Sequence, residues 1–284
     1  MLAIRNGLGN FTCTKRYKKN KTYKPINTIL PISSYNFVFM MFDKISSAQI
    51  KHLRALQLKK FRQKYNQFIV EGRKSIDEFV GSSIRCLGVF GSEEEILRLG
   101  PPLSKDLCFV VSKKQLEQIS GLKTPQGILA MFEISAYKEM DKQADLVLAL
   151  EDVRDPGNLG TIIRTADWFG LNQIVCSPSS VDCFNSKVVQ ASMGSLSRVH
   201  VHYKPISQLV DELNAHTLVL TDMKGEDYKT AKLNKSILVI GNEGQGVSEG
   251  LKSLKHRVLT IPRKGAAESL NAAVSASILL VELT

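Results

Sequence analysis

The sequence ILVIGNEGQGVSEGL, residues 237–251, passes from an apolar run into glycines arranged around one acid, Glu243. The apolar run predicts a buried strand, and the glycines predict a tight loop where something approaches the backbone closely. Neither phosphate-binding spacing fits, because Val247 follows Gly246 where a P-loop needs lysine, and Gly250 is one place late for a dinucleotide fingerprint. A carboxylate would also repel a phosphate held by backbone N–H groups. The sequence therefore predicts a ligand that is neutral or cationic at the point of contact, or a turn that binds nothing.

The chain from residue 145 onward alternates apolar runs with helical patterns, which predicts a parallel sheet covered by helices on both faces. The strands are expected at LVLALEDV, QIVCS, LVLTDM, ILVIGN and RVLTIP. The helices are expected near residues 158–169, 186–193, 205–215, 247–255 and 268–283. Ligands of such open sheets bind beyond the carboxyl ends of the strands. The segments 151–170 and 259–283 also contain loops that follow strands, so they are expected to share one site with the glycine loop.

The preceding part of the chain predicts a second, smaller α/β unit in residues 66–134. Its helices are expected near residues 73–80, 92–99 and 113–119. Ahead of it, Ser46 and Gln49 have the spacing of a capping box for a basic helix over about 47–64. The charges of that helix are expected either to form a solvated face or to contact RNA. The predicted organisation is residues 1–40 as an extension, 41–136 and 145–284 as domains, and 137–144 as a polar linker.

The charge of the chain is concentrated at its N-terminus. The net charge is +11, and residues 1–40 hold seven basic residues and no acid, so the other residues carry +4. That mild excess permits a polyanionic partner without demanding one. Residues 1–40 could be a disordered basic arm, an organelle-targeting segment, or an extension that results from assigning the start of translation too far upstream. Met40 and Met41, just before the first predicted helix, favour the last of these.

Several classes of protein are disfavoured by composition. The five cysteines include no C-x-x-C pair, which indicates a reducing, cytoplasmic setting and no zinc site. His200 and His202 would share one face of a strand, and a half-exposed strand explains them better than a metal does. No apolar run reaches the roughly 18 residues that a membrane helix needs, so no membrane association is expected.

Residues 151–170 combine ordinary helix signals with one unexplained charge. Asn158 is expected to be an N-cap and Gly170 a C-terminal stop. Arg164 stands in an otherwise largely apolar helix, which indicates an anionic partner such as a carboxylate or a nucleic-acid phosphate.

Three motifs together carry a family resemblance: NLGTIIRTA at 158–166, GNEGQG at 241–246 and IPRKGAAESLN at 261–271. In this order and spacing they resemble the SpoU (TrmH-type) RNA 2′-O-ribose methyltransferases of the SPOUT class. Residues 66–134 resemble, more weakly, the L30-like substrate-binding domain of the ribosomal-RNA branch of that family.

The resemblance implies a parallel α/β sheet with a C-terminal trefoil knot, a homodimer, and S-adenosylmethionine bound in the knot loops. A sulfonium cofactor would also explain a glycine loop with an acid and no lysine. The implied cofactor-binding residues are Gly241, Asn242, Gly246, Ile261 and Leu270. The implied catalytic or orienting residues are Asn158, Arg164, Glu243, Ser269 and Asn271.

The resemblance implies methyl transfer to a ribose 2′-hydroxyl, most directly in 23S-type ribosomal RNA. Arg164 would reach the partner subunit's cofactor; because arginine stays protonated, it is better suited to fix a phosphate and stabilise an alkoxide than to act as a base. Glu243 would pair with Arg164 or accept a proton. A transfer-RNA methyltransferase of the same family, a non-catalytic RNA-binding protein and a nucleotide-dependent α/β enzyme are the alternatives, and the failed phosphate motifs disfavour the last.

Overall fold

The structure, a computed structural model, describes residues 42–100, 103–134 and 138–284, together with the backbone of two short strands nearer the N-terminus. Those strands, β1 (Leu2–Arg5) and β2 (Phe11–Thr14), pair antiparallel. They belong to a separate unit, residues 1–41. The prediction that residues 1–40 form a disordered or non-native extension lies otherwise outside the described residues.

The second unit, residues 42–284, begins with a five-stranded sheet in the order β3-β6-β5-β7-β4. Its strands are β3 (Asp43–Lys44), β4 (Gln67–Glu71), β5 (Cys86–Gly91), β6 (Cys108–Val110) and β7 (Ile128–Glu133). Strand β7 runs antiparallel to both of its neighbours, whereas β3, β5 and β6 are parallel. Three helices connect the strands as the sequence predicts: α3 (Arg73–Val80), α4 (Glu93–Leu97) and α5 (Lys113–Ile119).

The single basic helix expected over 47–64 is wrong. The chain forms α1 (Ser47–Ala55) and α2 (Lys59–Tyr65), separated by a turn at 56–58. The capping box of Ser46 and Gln49 is confirmed. The helix ends because the buried Arg62 side chain donates hydrogen bonds to the carbonyls of Leu56 and Gln57, both at 2.9 Å. These bonds satisfy carbonyl groups that the end of a helix leaves without partners.

The second sheet has six strands, all parallel, in the order β10-β9-β8-β12-β11-β13. The strands are β8 (Leu146–Leu150), β9 (Gln173–Cys176), β10 (His200–Tyr203), β11 (Thr217–Asp227), β12 (Ser236–Ile240) and β13 (Arg257–Thr260). The helices are α6 (Pro156–Trp168), α7 (Ser186–Ser192), α8 (Ile206–Glu212), α9 (Glu249–Lys252) and α10 (Ala272–Leu283). The predicted parallel α/β architecture is confirmed, and none of the described helices is long and apolar enough to cross a membrane.

Both faces of this sheet are covered, as near-continuous apolar strands require. Along β12, Leu238 and Ile240 pack in the same cluster as α6, α7 and α10. The alternate residues Ile237 and Val239 pack on the other face with α8 and α9.

Two helix starts differ from the sequence prediction. Asp155, not Asn158, is the N-cap of α6, because its carboxylate accepts a hydrogen bond from the Asn158 N–H at 2.8 Å and Pro156 occupies the first turn. Helix α10 begins at Ala272 rather than near 268, since the Asn271 side chain caps it. The predicted stop at Gly170 is confirmed by its left-handed φ of +79° just after α6.

Candidate active site

One continuous chain of side-chain hydrogen bonds joins the three motif segments at the carboxyl edge of the parallel sheet. The Asn271 amide donates to the Asn158 Oδ1 at 2.8 Å, and the Asn158 amide donates to the Glu243 Oε1 at 2.5 Å. Asn271 also caps α10 by accepting from the N–H groups of Ala273 and Val274. The two asparagines therefore fix the orientation of the Glu243 carboxylate.

The glycine loop after β12 folds back tightly on itself. Asn242 and Gly246 exchange two backbone hydrogen bonds, at 3.0 and 2.9 Å. A Cβ on Gly241 would lie 2.4 Å from the backbone carbon of Gly246, so no other residue fits there without moving the loop. Gly246 itself has φ +67°, and nothing lies within 4 Å of where its Cβ would be. The loop therefore needs glycine at these two positions for different reasons.

Two acids that the sequence analysis did not single out hold this loop. The Asn242 amide donates to the Asp152 carbonyl at 2.9 Å. The Glu151 carboxylate accepts from the Ser248 N–H at 2.9 Å and from its hydroxyl at 2.7 Å. Asp152 has a left-handed φ of +57°, which is uncommon outside glycine and concentrates at functional sites. Both acids directly follow a buried strand, a position that predicts a place in the site. The turn residues that come next in the sequence drew the prediction away from them.

A cavity of about 690 Å³ opens beside the glycine loop. Its lining includes all five residues predicted to bind a cofactor: Gly241, Asn242, Gly246, Ile261 and Leu270. It also includes three residues of β11 that the sequence analysis missed: Thr221, Asp222 and Met223. The volume is that of a site for a small molecule.

The structure places four of the five predicted catalytic residues at the hydrogen-bonded chain or the cavity, and the fifth away from both. Asn158, Glu243 and Asn271 form the hydrogen-bonded chain, and Glu243 and Ser269 line the cavity. Arg164 does not line it; the side chain is exposed on α6. Within the described part of the chain Arg164 makes no ion pair.

The cavity fits a cationic cofactor of the size of S-adenosylmethionine. The lining holds three acids, Asp222, Glu243 and Glu268, and two bases, Arg263 and Lys264. Because the acids of the lining outnumber its bases by one, the cavity tolerates a positively charged ligand and does not favour a phosphate.

The fold and this site define an α/β protein with a small-molecule cofactor site at the carboxyl ends of parallel strands. Residues 145–281 match the SpoU rRNA methylase family, and residues 47–130 match the MRM3-like substrate binding domain. The chain is 33% identical over 246 residues to the 23S rRNA (guanosine(2553)-2′-O)-methyltransferase RlmP of Bacillus subtilis. The matched region covers 85% of this chain and 98% of that protein. The chain belongs to the SpoU rRNA methylase family.

Two solved structures resemble most of the chain. A TrmH-family protein from Porphyromonas gingivalis superposes with a TM-score of 0.75 at 34% identity, covering 84% of this chain and 97% of that one. The AdoMet-bound rRNA methyltransferase from Sinorhizobium meliloti superposes with a TM-score of 0.72 at 29% identity, covering 84% and 95%.

Proposed function

We propose that this protein transfers a methyl group from S-adenosylmethionine to a ribose 2′-hydroxyl of 23S-type ribosomal RNA. The observation that carries the proposal is the Asn271–Asn158–Glu243 chain, which joins the three family motifs beside a cavity of cofactor size. The relative from Bacillus subtilis carries this activity in its name, and the relative from Sinorhizobium meliloti was solved with AdoMet bound.

The residues of the cavity would hold the cofactor, including Gly241, Asn242 and Gly246 of the glycine loop and Ile261 and Leu270 of the segment after β13. When bound, the cofactor would supply a methyl group that is attached to a positively charged sulfur. The sulfur keeps the electron pair of the carbon–sulfur bond when that bond breaks. We further propose that the segment from 241 to 271 is threaded as the trefoil knot of this family.

The hydroxyl is a weak nucleophile, so its proton must be removed as the new carbon–oxygen bond forms. The Glu243 Oε1 is occupied by Asn158, which leaves Oε2 to accept that proton. Arg164, which stays protonated, would bind the target phosphate and stabilise charge on the ribose oxygen. Ser269, on the cavity lining, would orient the ribose.

A homodimer through the face formed by α6 and α10 would complete the site. Helices α6 and α10 pack together, and Thr165 and Ser277 lie within hydrogen-bond distance at 3.2 Å. Their outer face exposes Trp168 by 84%, Val281 by 61% and Val274 by 46%. Exposed apolar side chains on two packed helices suit an interface with a second copy. Arg164 lies one helical turn from Trp168, so a second copy on this face would receive it.

The two sheets would then divide the work. Residues 41–136 would bind the RNA substrate, residues 145–284 would bind the cofactor and catalyse transfer, and residues 137–144 would connect them. We propose that the reaction takes place in the cytoplasm, the setting that the cysteine usage indicates.

Incubation with radiolabelled S-adenosylmethionine and unmodified ribosomal or transfer RNA, in parallel, tests this function. We expect label in ribosomal RNA, and loss of roughly two orders of magnitude in rate for Arg164→Ala with cofactor binding retained. Label in transfer RNA alone would keep the chemistry and overturn the substrate. No label in either RNA, together with no cofactor binding, would leave a non-catalytic RNA-binding protein.

A further inference from the structure

The hairpin of α1 and α2, residues 47–65, carries charge of one sign. Residues 45–66 contain no acid. The exposed basic residues of this segment are Lys51, Arg54, Lys59, Lys60 and Lys64. Arg62 is the exception, because it is only 4% exposed. Charge complementarity therefore favours a polyanion on the outer surface of this hairpin.

Aromatic rings lie among these charges. Phe61 and Tyr65, one helical turn apart, stack with ring centroids 6.2 Å apart and planes 12° from parallel. His52 of α1 meets the Tyr65 ring edge-on at 4.7 Å. The ammonium groups of Lys60 and Lys64 lie 5.0 and 5.4 Å from the centroids of Phe61 and Tyr65. Tyr65 as a whole residue remains 39% exposed, so part of the cluster is open to an external partner.

The hairpin is fixed to the edge of the parallel sheet where the cavity opens. The Arg62 guanidinium donates to the Asp182 carboxylate at 2.6 and 3.1 Å. Asp182 belongs to the loop that follows β9, and the adjacent Val181 N–H donates to the carbonyl of Val153 at 2.9 Å. Val153 directly follows Asp152, the residue that holds the glycine loop. A chain of direct contacts thus links the hairpin to the candidate active site.

We propose that the surface formed by Lys60, Phe61, Lys64 and Tyr65 docks unpaired bases of the RNA strand that carries the target ribose. The identity of that RNA as substrate rests on the proposed function. Unpaired bases stack on aromatic side chains, whereas bases inside a duplex present no free face. The lysines beside the rings would contact the flanking phosphates. Stacking is tolerant of sequence, so this surface supplies affinity and orientation rather than base identity.

Fluorescence anisotropy with the full-length protein tests the assignment. The probes are a labelled single-stranded RNA of about twelve nucleotides and the same strand annealed to its complement. Tyr65→Leu keeps an apolar side chain and removes the ring, and we expect it to weaken single-strand binding roughly fivefold or more. Tyr65→Phe keeps the ring and should bind as the wild type does. Lys64→Gln should lower the slope of log affinity against log salt by about 0.7.

Each outcome decides the question. Selective loss of single-strand affinity in Tyr65→Leu, with unfolding temperature and cofactor binding unchanged, supports the assignment. Unchanged affinity in Tyr65→Leu, or equal losses for single strand and duplex, would overturn it. In methyl-transfer assays the variant should raise KM for RNA and leave kcat at saturating RNA near the wild-type value. A wild type that transfers no methyl would refute the proposed function, while the anisotropy would still report on this surface.

Discussion

Gly241 is the residue whose replacement tests the cofactor cavity most locally. A Cβ there would approach backbone atoms of Gly246 and Val247 to between 2.4 and 2.6 Å, so the loop must shift. We expect Gly241→Ala to weaken S-adenosylmethionine binding roughly tenfold, as overpacking costs of about 1–3 kcal/mol imply. Calorimetric titration checks this. Gly244→Ala is the matched control, because its Cβ would come no nearer than 3.6 Å to the Asn242 Oδ1.

Asn158 links the other two motif residues through both ends of its amide. Asn158→Asp preserves the shape but sets a carboxylate against Glu243, where the Nδ2–Oε1 distance is now 2.5 Å. We expect kcat to fall roughly ten- to a hundredfold at neutral pH, because a charged hydrogen bond is replaced by repulsion.

A control for this substitution exists in α7. Asn185 caps that helix through its side-chain oxygen alone, accepting from the Lys187 N–H at 3.0 Å. Asn185→Asp should leave activity unchanged, since aspartate caps a helix equally well. Equal activity losses for the two variants would contradict the orienting role of Asn158.

The residues of the site were predictable to the extent that a motif marks them. Asn158, Glu243 and Asn271 were identified, and the structure brings them into one hydrogen-bonded chain. The capping role expected for Asn158 was wrong, because Asp155 lies three residues earlier and competes for the same helix start. The support from Asp152 was missed, since no local pattern shows which carbonyl a residue 90 positions away will contact.

At the scale of elements, the buried ion pair of Arg62 and Asp182 connects the hairpin to the second sheet. The side chains are only 5% and 15% exposed. Arg62→Met would leave the Asp182 carboxylate without its cation, which costs about 3–5 kcal/mol in comparable buried pairs. Chemical denaturation should show this loss, and Arg54→Met, on the exposed face of α1, should change stability by under about 0.5 kcal/mol. Equal effects would contradict the anchoring role.

A second connection between the sheets predicts a dependence on pH. Arg198 donates to Asp167 of α6 and to Glu78 of α3, and its hydrogen bonds lower the pKa of Asp167 from the ordinary value of 3.8. A carboxyl whose pKa is lower in the folded than in the unfolded state stabilises the fold at pH values above its unfolded-state pKa. That contribution is lost as the pH falls through the folded-state pKa. The difference in free energy of unfolding between wild type and Arg198→Gln should therefore become smaller as the pH is lowered from about 6 to about 3. A gap that is constant or widens in acid would contradict this account.

Elements were predictable where apolar runs mark them and not where tertiary contacts decide. The buried strands of the parallel sheet are found where the sequence places them. Strand β11 continues to Asp227 through an exposed polar stretch that pairs with β13 after a register shift, and no apolar run signals it. The break between α1 and α2 falls in LQL, which favours a helix locally, and the bonds from Arg62 to the carbonyls of Leu56 and Gln57 are tertiary contacts that the local sequence does not signal.

For the whole molecule, the proposed dimer is the property most open to test. Trp168→Glu puts a charge on the outer face of α6 and α10, and we expect it to convert the dimer to a monomer in light scattering. Leu97→Glu changes a residue that is 53% exposed on α4 and should leave the dimer intact. Activity should fall with dissociation, since Arg164 would no longer reach a second cofactor site. A monomeric wild type, or a dimeric Trp168→Glu, would contradict this interface.

Global topology was the least predictable level. After β10 at one edge of the sheet, the chain crosses to β11 on the far side of β8, and β12 then lies between β8 and β11. Such crossings depend on packing between segments far apart in sequence. The knot and the dimer entered only through the family resemblance.

The position of the transferred methyl group distinguishes methylation of a ribose from methylation of a base. Ribosomal RNA labelled by the wild-type enzyme would be hydrolysed completely in alkali and the products separated. Methylation of the 2′-oxygen removes the nucleophile that alkali needs, so the label should remain in an uncleaved dinucleotide. Arg164→Ala should leave that dinucleotide unlabelled or nearly so. Label in single nucleotides would place the methyl on a base and contradict ribose methylation by this site.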